Sequence, residues 1–131
     1  MSENANVNVV KDIYAAFGRG DVNGIVEACI DDVKWRTHLD PIVPWSGDYD
    51  SKSNVPRFFS KMMAAIDVTS FDPQEFVSEG DTVISTGTFG CVAKSTGKSD
   101  ESKWIFIWKL KDGKVASYEQ FHDHSIANAF R

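Results

Sequence analysis

Residues 101–123 read ESKWIFIWKLKDGKVASYEQFHD. Two apolar runs, 101–111 and 114–123, flank KDGK, a turn composition suited to joining antiparallel strands. In the first run Trp104, Phe106, Trp108 and Leu110 alternate with Ile105 and Ile107, so both faces of the strand are apolar. Such a strand has to be covered on both sides, by helices and a partner subunit or by helices and a ligand cavity. In the second run alternation sets Glu119, Phe121 and Asp123 on one face, and Tyr118, Gln120 and His122 on the other.

Working towards the N-terminus, two further strands are expected at about 67–78 and 81–93, bounded by the turn compositions EGD and STGKSD. The four runs form an antiparallel meander. Before them Val55, Phe58, Phe59, Met62, Met63 and Ile66 fall at i, i+3, i+4, i+7, i+8 and i+11, the clearest amphipathic helix in the chain. VKWRTHL at 33–39 reads as a strand with Val33, Trp35, Thr37 and Leu39 on one face and Lys34, Arg36 and His38 on the other. The loop DPIVPWSGDYDS, with two Pro and one Gly, follows it. At the front, Val7, Val10, Ile13, Tyr14 and Phe17 predict one helix, and Val22, Ile25, Val26, Cys29 and Ile30 a second, with GRGD as stop and start between them. A short terminal helix begins near Ser125. Helices gathered first and strands last predict one α+β domain over 1–131, with helices on one face of a bent antiparallel sheet.

The 131 residues are 42% hydrophobic and 12% aromatic, and the nine Phe and four Trp hint at a pocket. Net charge is −5 with Lys and Arg scattered, which excludes a surface built to neutralise phosphates, so nucleic acid is not an expected partner. No apolar run approaches the roughly 18 residues a membrane span needs, and MSENANVNVV has no leader character, so the cytoplasm is the expected location. Cys29 and Cys91 have no neighbouring Cys and read as reduced, buried thiols. GRGD has no strand before it and forms no phosphate loop.

The stretches IYAAFGRGDVNGIVEACIDDVKW, PWSGDYDSKSNVPRFF, FVSEGDTVISTGTF and KLKDGKVASYEQFHDHSIANAF resemble, in order along the whole chain, the SnoaL-like polyketide cyclases and ketosteroid-isomerase-related proteins of the nuclear transport factor 2-like superfamily. The resemblance implies a cone: a strongly curved sheet wrapped on N-terminal helices, enclosing one pocket. It also implies a homodimer through the outer sheet face. The cone hosts isomerases, cyclases, hydrolases, dehydratases and non-catalytic binding modules, so function has to be argued residue by residue.

Steroid isomerases of this superfamily use a strand-one carboxylate base and an oxyanion hole of a helix Tyr and a protonated Asp. Tyr14 matches the helix Tyr, but the two acidic positions fall on Thr37 and near Phe106, which supply neither a base nor a donor. The SnoaL-like cyclases place an acid/base Asp at the end of the last long strand, and Asp123 matches it. The resemblance therefore implies cofactor-free acid/base chemistry on an apolar or aromatic carbonyl compound. Asp123 would move a proton, and Tyr14 or His38 would polarise the carbonyl. Trp35, Trp45, Phe59, Met63, Trp108, Glu119 and Phe121 are the candidate lining, with Trp45 over the mouth. Asp123 also suits the cap of the terminal helix, and Glu119 suits an ion pair with Arg36. His122 and His124, in H-x-H spacing, lack further ligands, so no metal is expected. Two alternatives stay open: a non-catalytic binding or dimerisation module, and a hydrolase or dehydratase drawing on Arg36 or Arg57.

Overall fold

A computed structural model describes residues 3–131. Helix α1 spans Glu3–Gly18 and α2 spans Val22–Glu27. Asp21 starts α2 by accepting a hydrogen bond from Gly24 N–H through Oδ1 at 2.9 Å, satisfying one of the donors a helix start leaves unpaired. The chain leaves α2 earlier than the apolar stripe suggests. Cys29 and Ile30 belong to strand β1, Cys29–His38, because Cys29 there pairs with Val115 on the far side of the sequence. Tertiary pairing has overridden the end of a helical spacing that runs from Val22 to Ile30.

The loop after β1 holds a two-residue strand, β2, Gly47–Asp48, which pairs with Arg36 and Thr37. A single 3-10 turn at Lys52–Asn54 leads into α3, Val55–Ala65. Val55, Phe58, Phe59 and Met62 are buried along α3, each such side chain contributing about 1.5–3 kcal/mol. Met63 turns outward and is 48% exposed, and Ile66, the last of the expected stripe, is already extended as the first residue of β3.

Strands β3 (Ile66–Glu79), β4 (Thr82–Ala93), β5 (Ser99–Lys111) and β6 (Lys114–His122) form the meander, and α4, Ser125–Asn128, closes the chain. The strand order is β2-β1-β6-β5-β4-β3. Every pairing is antiparallel except β1 with β6, so the sheet is mixed where the sequence suggested a purely antiparallel one. Register shifts interrupt β3 between Val68 and Ser70 and between Pro73 and Glu75, and such bulges bend a strand. The sheet curls around α1 and α3 without closing. Gly87 lies in this curl because a Cβ there would sit 2.4 Å from Cζ2 of Trp104. No helix among the described residues is long and apolar enough to cross a membrane.

Candidate functional site

The inner face of the sheet is set by cross-strand rows. Trp35, Tyr118, Trp108 and Val83 form one row; Thr37, Gln120, Phe106 and Ser85 form the next; His122, Trp104 and Gly87 form the third. These residues are buried, apart from the partly exposed His122, and α1 and α3 lie over them. Between sheet and helices is a cavity of about 50 Å³. Tyr14 and Phe17 from α1, Phe58, Phe59 and Met62 from α3, Trp45 from the loop, and Trp35, Phe106, Trp108, Tyr118, Gln120 and His122 from the sheet are among the residues that line it.

The wall is almost wholly aromatic. Trp35 and Tyr118 have ring centroids 4.2 Å apart, Trp108 and Tyr118 4.4 Å, and Trp104 stacks on Phe106 at 4.0 Å. Its polar groups form two relays. Trp45 Nε1 donates to Gln120 Oε1 at 3.2 Å, and Gln120 Nε2 donates to the Tyr118 hydroxyl at 2.7 Å. Trp108 Nε1 donates to the Tyr14 hydroxyl at 2.9 Å. Burial pushes the Tyr14 phenol up to about 12 although Ser85 and Trp108 pull the other way, and burial raises Tyr118 well above its ordinary value. Both phenols therefore stay protonated at neutral pH.

His122 is the titratable group of the wall with a base's chemistry. Its Nδ1 lies 3.1 Å from Ser102 Oγ, and Phe89 and Phe106 flank the ring at centroid distances of 5.7 and 6.0 Å. Although its surface keeps some exposure, protein surrounds most of the ring, and that desolvation lowers its pKa to about 4 against the opposing pull of Asp123. It is neutral at physiological pH.

Several expected site residues are placed elsewhere. Asp123, expected inside the cone, is exposed at the end of β6. Its Oδ2 accepts from Lys103 N–H and its Oδ1 from Ser125 N–H, each at 2.9 Å, the bonding of a carboxylate that fastens the start of a helix. Burial pulls its carboxyl up, but the bonds from Lys103 and Ser125 outweigh that and leave it below the usual range. Glu119 pairs with His38 at 3.2 Å rather than with Arg36, which is bonded to Asp50 at 2.9 Å. His38 stacks on Phe121 at 4.5 Å on the outer face. Met63 faces outward, and Met62 takes its place in the wall. His124 is exposed after the end of β6, so it does not share a strand face with His122. Arg57 is exposed as well.

Tyr14, Trp35, Trp45, Phe59 and Trp108 do converge on the cavity. Trp45 is fully buried and packs edge-on against Phe130, so the loop is part of the wall itself. The inward face of β6 depends on one irregularity. Lys111 pairs with Lys114 and Leu110 with Val115, but Lys109 pairs with Ser117, leaving Ala116 as an extra residue. That bulge turns Tyr118, Gln120 and His122 inward, whereas an unbroken ladder from the KDGK turn would turn Glu119, Phe121 and Asp123 inward. Val115 and Tyr118, both buried and three apart, are the sequence signal of it. Cys29 and Cys91 are free, and burial pushes each thiol up to about 11, which leaves no thiolate nucleophile. Among the described residues no group of three or more His, Cys, Asp or Glu is placed to hold a metal ion.

The comparisons with known proteins agree with this architecture. No protein with a curated description matches the sequence. A nuclear transport factor 2-like protein from Burkholderia xenovorans LB400 is 28% identical, with a TM-score of 0.89 over 100% of this chain and 99% of its own. Another from Burkholderia thailandensis E264 is also 28% identical, with a TM-score of 0.88 over the same shares. A Mesorhizobium loti protein proposed to be a SnoaL-like polyketide cyclase shares the fold at 17% identity, with a TM-score of 0.73 over 88% of this chain and 97% of its own. The model of the SnoaL-like domain matches residues 10–118, and with the curved sheet and aromatic cone above it the chain belongs to the SnoaL-like domain family of the nuclear transport factor 2-like superfamily.

Proposed function

We propose that the protein binds an apolar or aromatic small molecule in the cone, and that His122 handles the proton in cofactor-free isomerase- or cyclase-type chemistry on a carbonyl compound. The observation that carries the reading is His122 itself, a neutral imidazole in a wall that is otherwise aromatic and holds no carboxylate. Asp123 is too far committed to Lys103 and Ser125 to be the base, so the proton-transfer role moves one residue along the chain and onto the opposite strand face. A cavity of about 50 Å³ is a third of the roughly 150 Å³ that admits benzene. Entry of one ring therefore requires movement in the covering helices, and a single-ring occupant suits the cone better than a polycyclic one.

The test is deuterium exchange at the benzylic carbon of phenylacetone in D₂O. The expected result is exchange faster with protein than with buffer, and loss of that acceleration in His122→Gln. The absence of carboxylates from the wall favours a second reading, a non-catalytic binding module. Binding of phenylacetone without accelerated exchange would establish that reading instead.

The outer sheet face supports a partner as well. Val77 and Ile84 pair across β3 and β4, Ile84 and Ile107 across β4 and β5, and Ile105 and Phe121 across β5 and β6. Val77 is 62% and Ile105 47% exposed. A contiguous apolar face of this kind calls for a cover, and a second copy of this chain offers the matching face by two-fold symmetry. Homodimerisation through the sheet is accordingly part of the proposal.

A further inference from the structure

The hydrogen bonds of the cavity wall have a direction. An indole N–H donates and cannot accept. Trp45 Nε1 therefore fixes Gln120 Oε1 as acceptor, which turns the amide Nε2 towards Tyr118 as donor. The Tyr118 hydroxyl accepts that bond, so its own proton points to something else, and no acceptor for it occurs among the described residues. Beside it, Trp35 Nε1 is buried with no hydrogen-bond partner. Two neighbouring groups thus carry protons that no described residue is bonded to as acceptor. The raised pKa of Tyr118 keeps the hydroxyl protonated.

We propose that Tyr118, oriented as a donor by the Trp45–Gln120 relay, recognises an uncharged hydrogen-bond acceptor on an aromatic ligand, such as a ketone, quinone or ether oxygen. Charge is excluded by the same wall. No Lys, Arg, Asp or Glu lines the cavity, and His122 is neutral, so a carboxylate or ammonium would lose its hydration without gaining a counter-ion. An acceptor-free hydrocarbon would leave both donors unpaired at the cost of a buried unsatisfied group. Gln120 and Trp45 are positioning residues in this scheme. The inference rests on the cavity being a binding site and adds which polar group recognises the occupant and in what charge state.

Three single-ring probes of similar size test it by NMR titration at pH 7: acetophenone, ethylbenzene and benzoate. Acetophenone is expected to bind at least tenfold more tightly than either of the others. Tyr118→Phe, which removes one oxygen and with it the donor that a hydrocarbon leaves unpaired, is expected to abolish that advantage. Gln120→Met is expected to reduce the advantage, because the hydroxyl is no longer held as a donor. Equal or tighter binding of ethylbenzene or benzoate to the natural protein overturns the inference and leaves cavity binding intact, even should the variants not fold. An undiminished preference for acetophenone in a folded Tyr118→Phe overturns Tyr118 as the donor. Failure of all three probes to bind overturns the cavity reading itself.

Discussion

His122 carries a consequence for stability that is independent of any ligand. Its folded pKa of about 4 lies below the roughly 6.5 of an exposed imidazole, so between those values the unfolded chain binds a proton that the native chain refuses. Stability therefore falls as pH drops from about 6.5 to about 4, by on the order of 3 kcal/mol. Urea midpoints at pH 7 and pH 4 measure this, and His122→Gln is expected to lose most of the difference. Asp50 and Asp123, both depressed, act below this window. Asp100, raised chiefly by burial, acts against the slope and does so equally in both proteins. At this scale the sequence was only half legible. Strand alternation divided Tyr118, Gln120 and His122 correctly from Glu119, Phe121 and Asp123. Which set faced inward hung on Ala116, a residue with nothing in its chemistry to announce a bulge.

At the scale of elements, α3 separates stripe from surface. Phe58 is buried against Trp35, Tyr49 and Phe59 at centroid distances of 4.9 to 5.6 Å. Phe58→Ala is expected to cost about 3–5 kcal/mol, the usual price of a large core cavity. Met63→Ala, one turn on and outward, is expected to stay within about 0.5 kcal/mol. Denaturant unfolding of the two variants checks the contrast. Helix existence was legible from spacing, because α1 and α3 each bury a continuous stripe. The meander was legible from its turns. What spacing could not locate were the ends: Cys29 and Ile66 have helical spacing but pair as strand residues, with Val115 and Ala93, which lie far along the chain. The two-residue β2 exists only through the Thr37 and Arg36 backbone it meets.

For the whole molecule, the sheet has an inner face that makes the cone and an outer face that carries Val77, Ile84, Ile105 and Phe121. Ile105→Lys places a charge at the centre of the outer row without touching the cavity. It is expected to yield a monomer by analytical ultracentrifugation at micromolar concentration, with the natural protein running as a dimer. A monomeric natural protein would instead leave the outer face without a second copy. That both faces of β5 are apolar was plain from KWIFIWKL alone, and the fold class followed from it together with the order of helices and strands.

The one parallel ladder bears on how the chain is made. β1 meets β6 through pairs such as Trp35 with Tyr118 and His38 with Phe121, more than eighty residues apart. During synthesis the helices and the β3–β4 hairpin can collapse as they leave the ribosome, but β1 must wait with its inner edge unpaired until the last strand emerges. The half-built cone is thus an open sheet edge beside exposed tryptophans. Long-range closure of this sort slows folding, and slow translation between residues 93 and 114 would lengthen the interval in which the nascent chain is vulnerable to association with its neighbours.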